Sequence, residues 1–350
     1  MRRAGSITLL LLAACDRAPM PAMPSPPAVA SPTPASFLKG QLHLHSNNSG
    51  DSETPPNEVV QWYADHGYDF IVFTDHNRVT DLASRPGLLV IPGMEITLNV
   101  ERCDPPGPSP LCPLHVNALF IDTAQAPAAV PEPADLRRTT VYGYGIARAR
   151  SLGALAQINH PNFHWAADAD TIAAVASEPL LLEVANEAID SNNDGDTTHP
   201  STFGIWDALL TAGVRVWGTA TDDAHHYGDA ARVRARGELA FEGDRGWVMV
   251  RAEPGANAEQ LRDAMARGDF YASNGARLDD VRCDAAGLTI WPGRRDAEVR
   301  CIAGGRAAAA TSTTPGEYVC ARGPDPTAYV RAEIIEPQGR RAWAQPCWSH

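Results

Sequence analysis

The sequence predicts an α/β fold: a closed or nearly closed barrel of about seven strand–helix units, followed by a small β-rich C-terminal module. Three observations carry this expectation. From Gly40 to about Tyr271, short apolar runs alternate with amphipathic stretches, as in a parallel sheet with helices outside it. Histidines and carboxylates recur just past the apolar runs, where such barrels place their chemistry, with His115, which opens its strand, as the exception. After about Ala276 helical periodicity fades, and Thr, Val and Gly increase between Gly/Pro turns.

The chain begins Met1-Arg2-Arg3, continues with an apolar run from Ile7 to Ala14, and reaches Cys15. A basic start, a short apolar core and small residues describe an export signal. The run is far shorter than the ~20 apolar residues that span a bilayer. Leu12-Ala13-Ala14-Cys15 resembles the bacterial lipobox, whose Cys is acylated and becomes the mature N-terminus; an ordinary signal peptide with a chance Cys is the alternative. Residues 16–36 carry seven prolines and read as a solvated tether. The expected organisation is a signal peptide at 1–15, a tether at 16–36, a barrel domain at 37–275 and a β-rich module at 276–350. This places the protein at a bacterial cell envelope, facing the periplasm. Asp16 resembles an inner-membrane retention signal of some enteric bacteria, so the inner and outer membranes both stay open.

Within the barrel region, Gln41–Leu44 reads as the first strand. Thr54-Pro55-Pro56 then opens a helix, and Val59, Trp62 and Tyr63 recur at helical spacing through Glu58–His66 until Gly67. Asp69–Phe73 and Leu88–Ile91 read as buried strands, the latter running into Gly93-Met94-Glu95. Val116–Phe120, Ala154–Ile158 and Leu180–Val184 follow. Ser201–Leu210 reads as a helix, Val214–Thr219 as the seventh strand, and Trp247–Arg251 precedes a helix at Ala258–Ala266. In the C-terminal module, Leu288–Trp291, Glu317–Cys320 and Tyr329–Ile335 are strand-like. There is no internal repeat.

The formal net charge is −13, with no Lys/Arg cluster, which argues against a nucleic-acid partner. Metal ions can still supply local positive charge inside an acidic chain. Besides Cys15 there are six cysteines, and an even count in an exported chain suggests disulfides, with buried free thiols as the alternative. Cys103 and Cys112 flank a Pro/Gly-rich loop and are expected to pair. Cys283, Cys301, Cys320 and Cys347 leave their connectivity open. No Cys-X2-Cys spacing supports a thiolate metal site.

The candidate chemistry starts at His43-Leu44-His45. On a strand, residues i and i+2 share a face, so two imidazoles can grip one metal, although two core or surface histidines would read the same way. Further pieces follow in order: Thr74-Asp75-His76, Gly93-Met94-Glu95, His115-Val116-Asn117, Asn159-His160-Pro161 and Asp222-Asp223-Ala224-His225. Imidazoles and carboxylates are ligands for Zn, Mn, Fe or Co at hydrolytic centres, and this many candidates suggest roughly two or three divalent ions sharing carboxylate bridges.

This ordered set resembles the polymerase and histidinol phosphatase (PHP) superfamily of metal-dependent phosphoesterases, over about Leu38 to Asn274. The resemblance implies a distorted (β/α)7 TIM-like barrel, the PHP fold. It implies His43 and His45 as the opening ligand pair, Asp51 as a further ligand, His76 from the Thr-Asp-His motif and Glu95 as the bridging carboxylate. His115 and His160 match the two middle ligands, and Asp223 and His225 the closing Asp-X-His. It places His43, His76, Glu95 and Asp223 at the catalytic centre. The family's common Ser-Asp-Gly is here Ser49-Gly50-Asp51, and Asp222 is expected to orient a neighbour. The runs Asn159–Trp165, Asp222–His226 and Gly268–Ser273 resemble an exported bacterial branch related to carbaryl-hydrolase-like members.

The function so implied is hydrolysis of a small-molecule phosphomonoester or phosphodiester. A hydroxide held between metals would be the nucleophile, since cations lower the pKa of bound water from ~15.7 to ~7. A carboxyl-ester or carbamate hydrolase on the same cluster is one alternative, and a non-catalytic metal- or ligand-binding envelope lipoprotein is another. The membrane is reached through the lipid anchor only. Arg78 could bind a substrate anion, with a surface Arg as the default; His199 could reach the cluster from a lid, and His199 and His226 are general-acid candidates. His66 reads as a surface or capping residue, and His164 as either pocket lining or loop packing. Asp190–Asp196 resembles the start of a calcium loop but has Ser201 where Glu is required, so a polar lid is the competing reading.

Overall fold

The computed structural model describes residues 36–106, 111–124, 128–312, 314–323 and 328–348. Cys15, the expected signal peptide and all but the end of the expected tether lie outside them. The described residues all belong to one compact unit.

The elements run β1 (Phe37–Gln41), α1 (Pro56–Asp65), β2 (Phe70–Val72), β3 (Leu89–Ile91), β4 (Met94–Val100), β5 (Cys112–Leu119), α2 (Arg138–Ser151), β6 (Leu155–Ile158), α3 (Ala169–Val175), β7 (Leu180–Asn186), α4 (Thr202–Thr211), β8 (Trp217–Thr221), α5 (Ala230–Ala235), β9 (Trp247–Arg251), α6 (Ala258–Ala266) and β10 (Phe270–Ser273). The C-terminal part adds β11 (Leu278–Asp284), β12 (Gly287–Pro292), β13 (Glu298–Ala303), β14 (Arg306–Ala308), β15 (Tyr318–Ala321), β16 (Tyr329–Ile335) and β17 (Arg341–Trp348). The local reasons are ordinary ones. Pro56 stands in the first turn of α1, and Val59, Val60 and Tyr63 form its buried stripe. Asn257 and Gln260 make a reciprocal capping box at the start of α6. Every residue of β5 and β7 is buried.

The expected closed (β/α)7 barrel is not formed. The described strands make separate sheets of nine, five and three strands, in the orders β14-β13-β16-β17-β10-β9-β1-β2-β3, β4-β5-β6-β7-β8 and β11-β12-β15. The reason is connectivity. A parallel pair needs a crossover of about a dozen residues or more, yet only Pro92 and Gly93 separate β3 from β4. The chain therefore leaves the first sheet, and β4 pairs antiparallel with β5, which pairs antiparallel with β6. Parallel pairing survives in β1-β2-β3 and in β6-β7-β8. The C-terminal strands extend the larger sheet instead: β10 pairs with β17, and β17 with β16, both antiparallel.

Two isolated bridges link segments that leave the sheets: Leu44, past β1, with Ala224, past β8, and His76, past β2, with Glu95 of β4. Both lie among the predicted ligands, so the site sits on the seam between the sheets. The seam needs close backbone approach: a Cβ on Gly93 would stand 2.5 Å from the Phe73 carbonyl oxygen. Gly40 of β1 is equally constrained, because a Cβ there would fall inside the Phe70 ring.

Three disulfides tie the chain. Cys103 pairs with Cys112, as the sequence predicts; Cys283 pairs with Cys347 and Cys301 with Cys320, with Cα–Cα distances of 5.9, 5.4 and 5.4 Å. Such bonds persist in an oxidising compartment outside the cytoplasm. Among the described residues, no helix is long and apolar enough to cross a membrane.

Candidate metal centre

Several ligand positions differ from their sequence reading by a few residues. His43 and His45 follow β1 rather than lying in it, because β1 spans Phe37–Gln41. Glu95 is the second residue of β4, and His115 lies inside β5 rather than opening it. Asp223 and His225 follow β8, whose pairing reaches Thr221. His160 and Asp223 have φ of 23° and 51°, in the left-handed region that His, Asn and Asp tolerate better than most residues. Backbone held there at two chemical side chains is a feature of functional sites.

All nine predicted ligands come together. Three groups have ligand atoms within 4.8 Å of one another: His45, Asp51, His76 and His225; His43, His45 and Asp223; and His43, Glu95 and His160. His115 adjoins the third, its Nδ1 lying 3.1 Å from Glu95 Oε1 and 3.3 Å from His160 Nε2. Glu95 is central. Its carboxylate is 2.7 Å from His76 Nδ1, 3.4 Å from His43 Nε2 and 3.6 Å from His45 Nε2. Asp223 Oδ1 is 3.2 Å from His43 Nε2 and 3.1 Å from His45 Nε2, while Asp51 Oδ2 is 2.8 Å from His76 Nε2 and 3.3 Å from His225 Nε2.

These contacts are close without being satisfied. His43 Nε2 is buried and makes no hydrogen bond, while Glu95 Oε2, equally buried, relies on its ion-pair contact with His76 Nδ1 at 2.7 Å; an unpaired buried polar atom costs about 1–3 kcal/mol. The rings crowd as well: the His45 and His225 centroids are 4.2 Å apart, and those of His45 and His76 are 4.6 Å apart. Ligand atoms gathered within 4.8 Å in a dense mixture of imidazole and carboxylate are a donor set that could hold divalent cations.

The electrostatics agree. Burial pushes His43 down, but Asp223, Glu183 and Glu95 outweigh it and hold its pKa well above the usual histidine range. Burial likewise opposes, and Glu95 and Asp51 overcome it, in raising His76 to about 10. His45 goes the other way, lowered to about 4 by burial and by His225. Burial would raise Glu95, yet His115, His43 and His76 hold it well below the usual carboxylate range. The carboxylates thus demand positive charge that the imidazoles provide unevenly.

A surrounding layer orients the ligands. Glu183, buried in the middle of β7, stands 2.7 Å from His43 Nδ1 and accepts from Thr221 Oγ1, Asn186 Nδ2 and the His160 backbone N–H. Ser49 Oγ lies 2.8 Å from His45 Nδ1, Thr97 Oγ1 2.6 Å from His76 Nδ1, and Asn99 Oδ1 3.0 Å from His115 Nε2. Asn159 donates to Glu95 Oε1. The sequence reading missed these residues. Glu183 had a visible signal, a lone carboxylate inside the apolar run Leu180–Val184. Asp222 is buried and accepts backbone N–H groups from Asp244, Arg245 and Gly246 as well as Gln41 Nε2, so it organises the loop beside the ligands.

Seven of the nine candidate ligands, all but the buried His43 and His45, line a cavity of about 310 Å³, walled also by Leu111, Pro113, Phe163 and Phe241, with Asp190, Ser191 and His226 at its side. Arg78 and His199 are not among its lining residues. Arg78 is exposed; His199 stacks on Trp165 at 4.0 Å and pairs with Asp196. His66 is exposed and stacks on Trp62.

No protein-family model matches the chain, and no curated protein matches it.

Proposed function

We propose that this protein is a metal-dependent hydrolase of the PHP type, acting as a phosphoesterase on a small phosphomonoester or phosphodiester. The observation that carries this reading is the clustering of six histidines and three carboxylates, seven of which line one cavity while His43 and His45 lie buried among them. His43, His45, Asp51, His76, Glu95, His115, His160, Asp223 and His225 would hold roughly two or three divalent ions, with Zn, Mn and Fe all suited to the donor set. When bound, such ions supply Lewis acidity, which acidifies water and offsets charge developing on oxygen.

The chain's own residues do the rest. Glu183, Ser49, Thr97 and Asn99 fix the ring orientation of His43, His45, His76 and His115, as hydrogen-bonded outer partners do at metal sites. Phe163, Phe241, Leu111 and Pro113 give the substrate's organic part an apolar wall and limit water. His226 accepts the Phe241 backbone N–H at Nδ1, 3.1 Å away, which leaves the proton of its neutral form on Nε2.

A second reading keeps the same centre with a carboxyl ester or carbamate as substrate. It is favoured by the wall itself, because none of the described residues lining the cavity is Lys or Arg. The cell-envelope lipoprotein reading rests on the lipobox-like run ending at Cys15. Cys15→Ser is expected to lose fatty-acid labelling and to leave the membrane fraction.

The test is metal content per chain by mass spectrometry, together with turnover of aryl phosphate, bis-aryl phosphate, aryl ester and aryl carbamate. Turnover that requires metal, with both lost in His76→Ala, supports the hydrolase. Full turnover by metal-stripped protein sinks it. Bound metal without turnover of any substrate favours a binding protein.

A further inference from the structure

A second cavity lies at the opposite end of β8 from the metal centre. Trp217 opens that strand, and Asp223 lies six residues on, about 20 Å at strand rise. The cavity measures about 840 Å³ and shares no lining residue with the metal centre. It is framed by the start of β8, the end of β9, the start of β10, the β11–β12 hairpin and the end of β17.

Its lining combines four arginines, Arg215, Arg251, Arg267 and Arg282, with Trp217, Phe270 and Trp348, against the two acids Asp269 and Asp284. That balance runs against a chain of net charge −13. Three of the arginines are engaged: Arg251 and Arg282 share the buried Asp280 at 2.7 and 2.6 Å, and Arg267 pairs with Asp269 at 3.0 Å. Arg215 has no carboxylate partner among the described residues; its guanidinium stands 5.3 Å above the Trp348 ring. Trp217 and Trp348 meet edge to face at 5.0 Å, and the Trp217 indole N–H is already donated to the Ala266 carbonyl. The indoles therefore offer carbon surface, while Arg215 offers a planar, charged fork.

We propose that this cavity binds a small organic anion that carries an aromatic ring. The ring would pack on Trp217 and Trp348, and the anionic group would pair with Arg215, whose guanidinium suits planar oxyanions. The volume falls within the ~300–1,000 Å³ range of small-molecule sites. The proposal is independent of what the metal centre hydrolyses.

The test is calorimetric titration of the full chain with naphthalene-2-sulfonate, which has no bond for a hydrolase to cleave. Inorganic phosphate serves as the anion without a ring, and 2-naphthalenemethanol as the ring without a charge. Saturable binding of the sulfonate is expected, stronger than either control, weakened by salt, and about tenfold weaker in Arg215→Gln. Arg215 is exposed, so this variant should keep its melting temperature. Glu95→Gln, altered only at the metal centre, should bind the sulfonate unchanged. The proposal is overturned by absence of saturable binding, by equal binding of the uncharged ring, or by binding that Glu95→Gln abolishes and Arg215→Gln leaves intact.

Discussion

Glu95 stands where five imidazoles meet, within 3.6 Å of a ring nitrogen of each of His43, His45, His76, His115 and His160. Glu95→Gln keeps the shape and removes the charge. It is expected to lower bound metal per chain and to reduce turnover about 100-fold or more, read by metal analysis and steady-state kinetics. Glu183 acts one step further out, through His43 Nδ1. Glu183→Gln should weaken metal affinity about 10- to 100-fold while leaving the other ligands in place, measured by competition with a chelating dye. The titration of the centre gives a third expectation. His76, raised to about 10, stabilises the metal-free fold fully below its ordinary pKa of 6.5, and that contribution is lost as pH rises toward 10. His45, lowered to about 4, makes the unfolded chain the better proton binder between 4 and 6.5, so stability falls as pH drops through that window. Thermal melts of chelator-treated protein should therefore peak near pH 6.5. A melting temperature that keeps rising between pH 7 and pH 10 would contradict this account of His76.

At the scale of elements, the strand ends matter more than the strands. β1 brings His43 and His45 to the seam only if it lies close against β2, and Gly40 permits that approach to Phe70. Gly40→Ala must displace an aromatic ring from a packed core. It is expected to destabilise by about 3 kcal/mol and to impair metal binding through displacement of the ligand pair, read by denaturant titration. The disulfides act on the C-terminal strands. Cys283–Cys347 spans 64 residues and Cys301–Cys320 spans 19. Loop-closure entropy then assigns about 4 and about 3 kcal/mol to them, so the double replacement Cys283→Ala/Cys347→Ala should cost more than Cys301→Ala/Cys320→Ala. A larger loss from the shorter loop would show that native packing, not chain entropy, sets their contributions.

For the whole molecule, the proposed metal centre predicts a coupling between metal binding and stability. Two isolated bridges that include or flank the candidate ligands tie the segments past β1 and β2 to those around β4 and β8, in addition to the Gly218–Gln345 hydrogen bonds between β8 and β17. Bound metal should therefore act as a clamp on the seam. Saturating metal, at about a thousand times its Kd, should add about 4 kcal/mol to the unfolding free energy, and a chelator should remove it. An unchanged melting temperature after metal removal would mean that the sheets hold without the centre.

Much of this was legible in the chain itself. The candidate ligands other than Asp51, the Cys103–Cys112 pair, α6 and the strands Trp247–Arg251 and Tyr329–Ile335 follow from local pattern: residue chemistry, spacing and period; Asp51 came only with the family resemblance. These are properties of short stretches, and short stretches carry them. The closed barrel was not there to be read, because the antiparallel placement of β4 and the annexation of β10 by β17 are settled by which strand pairs with which across long separations. Glu183 escaped for a related reason. A carboxylate in an apolar strand has no assigned role until folding puts His43 2.7 Å from it. The sequence by itself thus determined the candidate ligand types and their order. Only the tertiary structure decided that they share one seam, which residues hold them, and that a separate arginine–tryptophan cavity opens at the far end of β8, because non-local pairing and desolvation turn a list of side chains into neighbours.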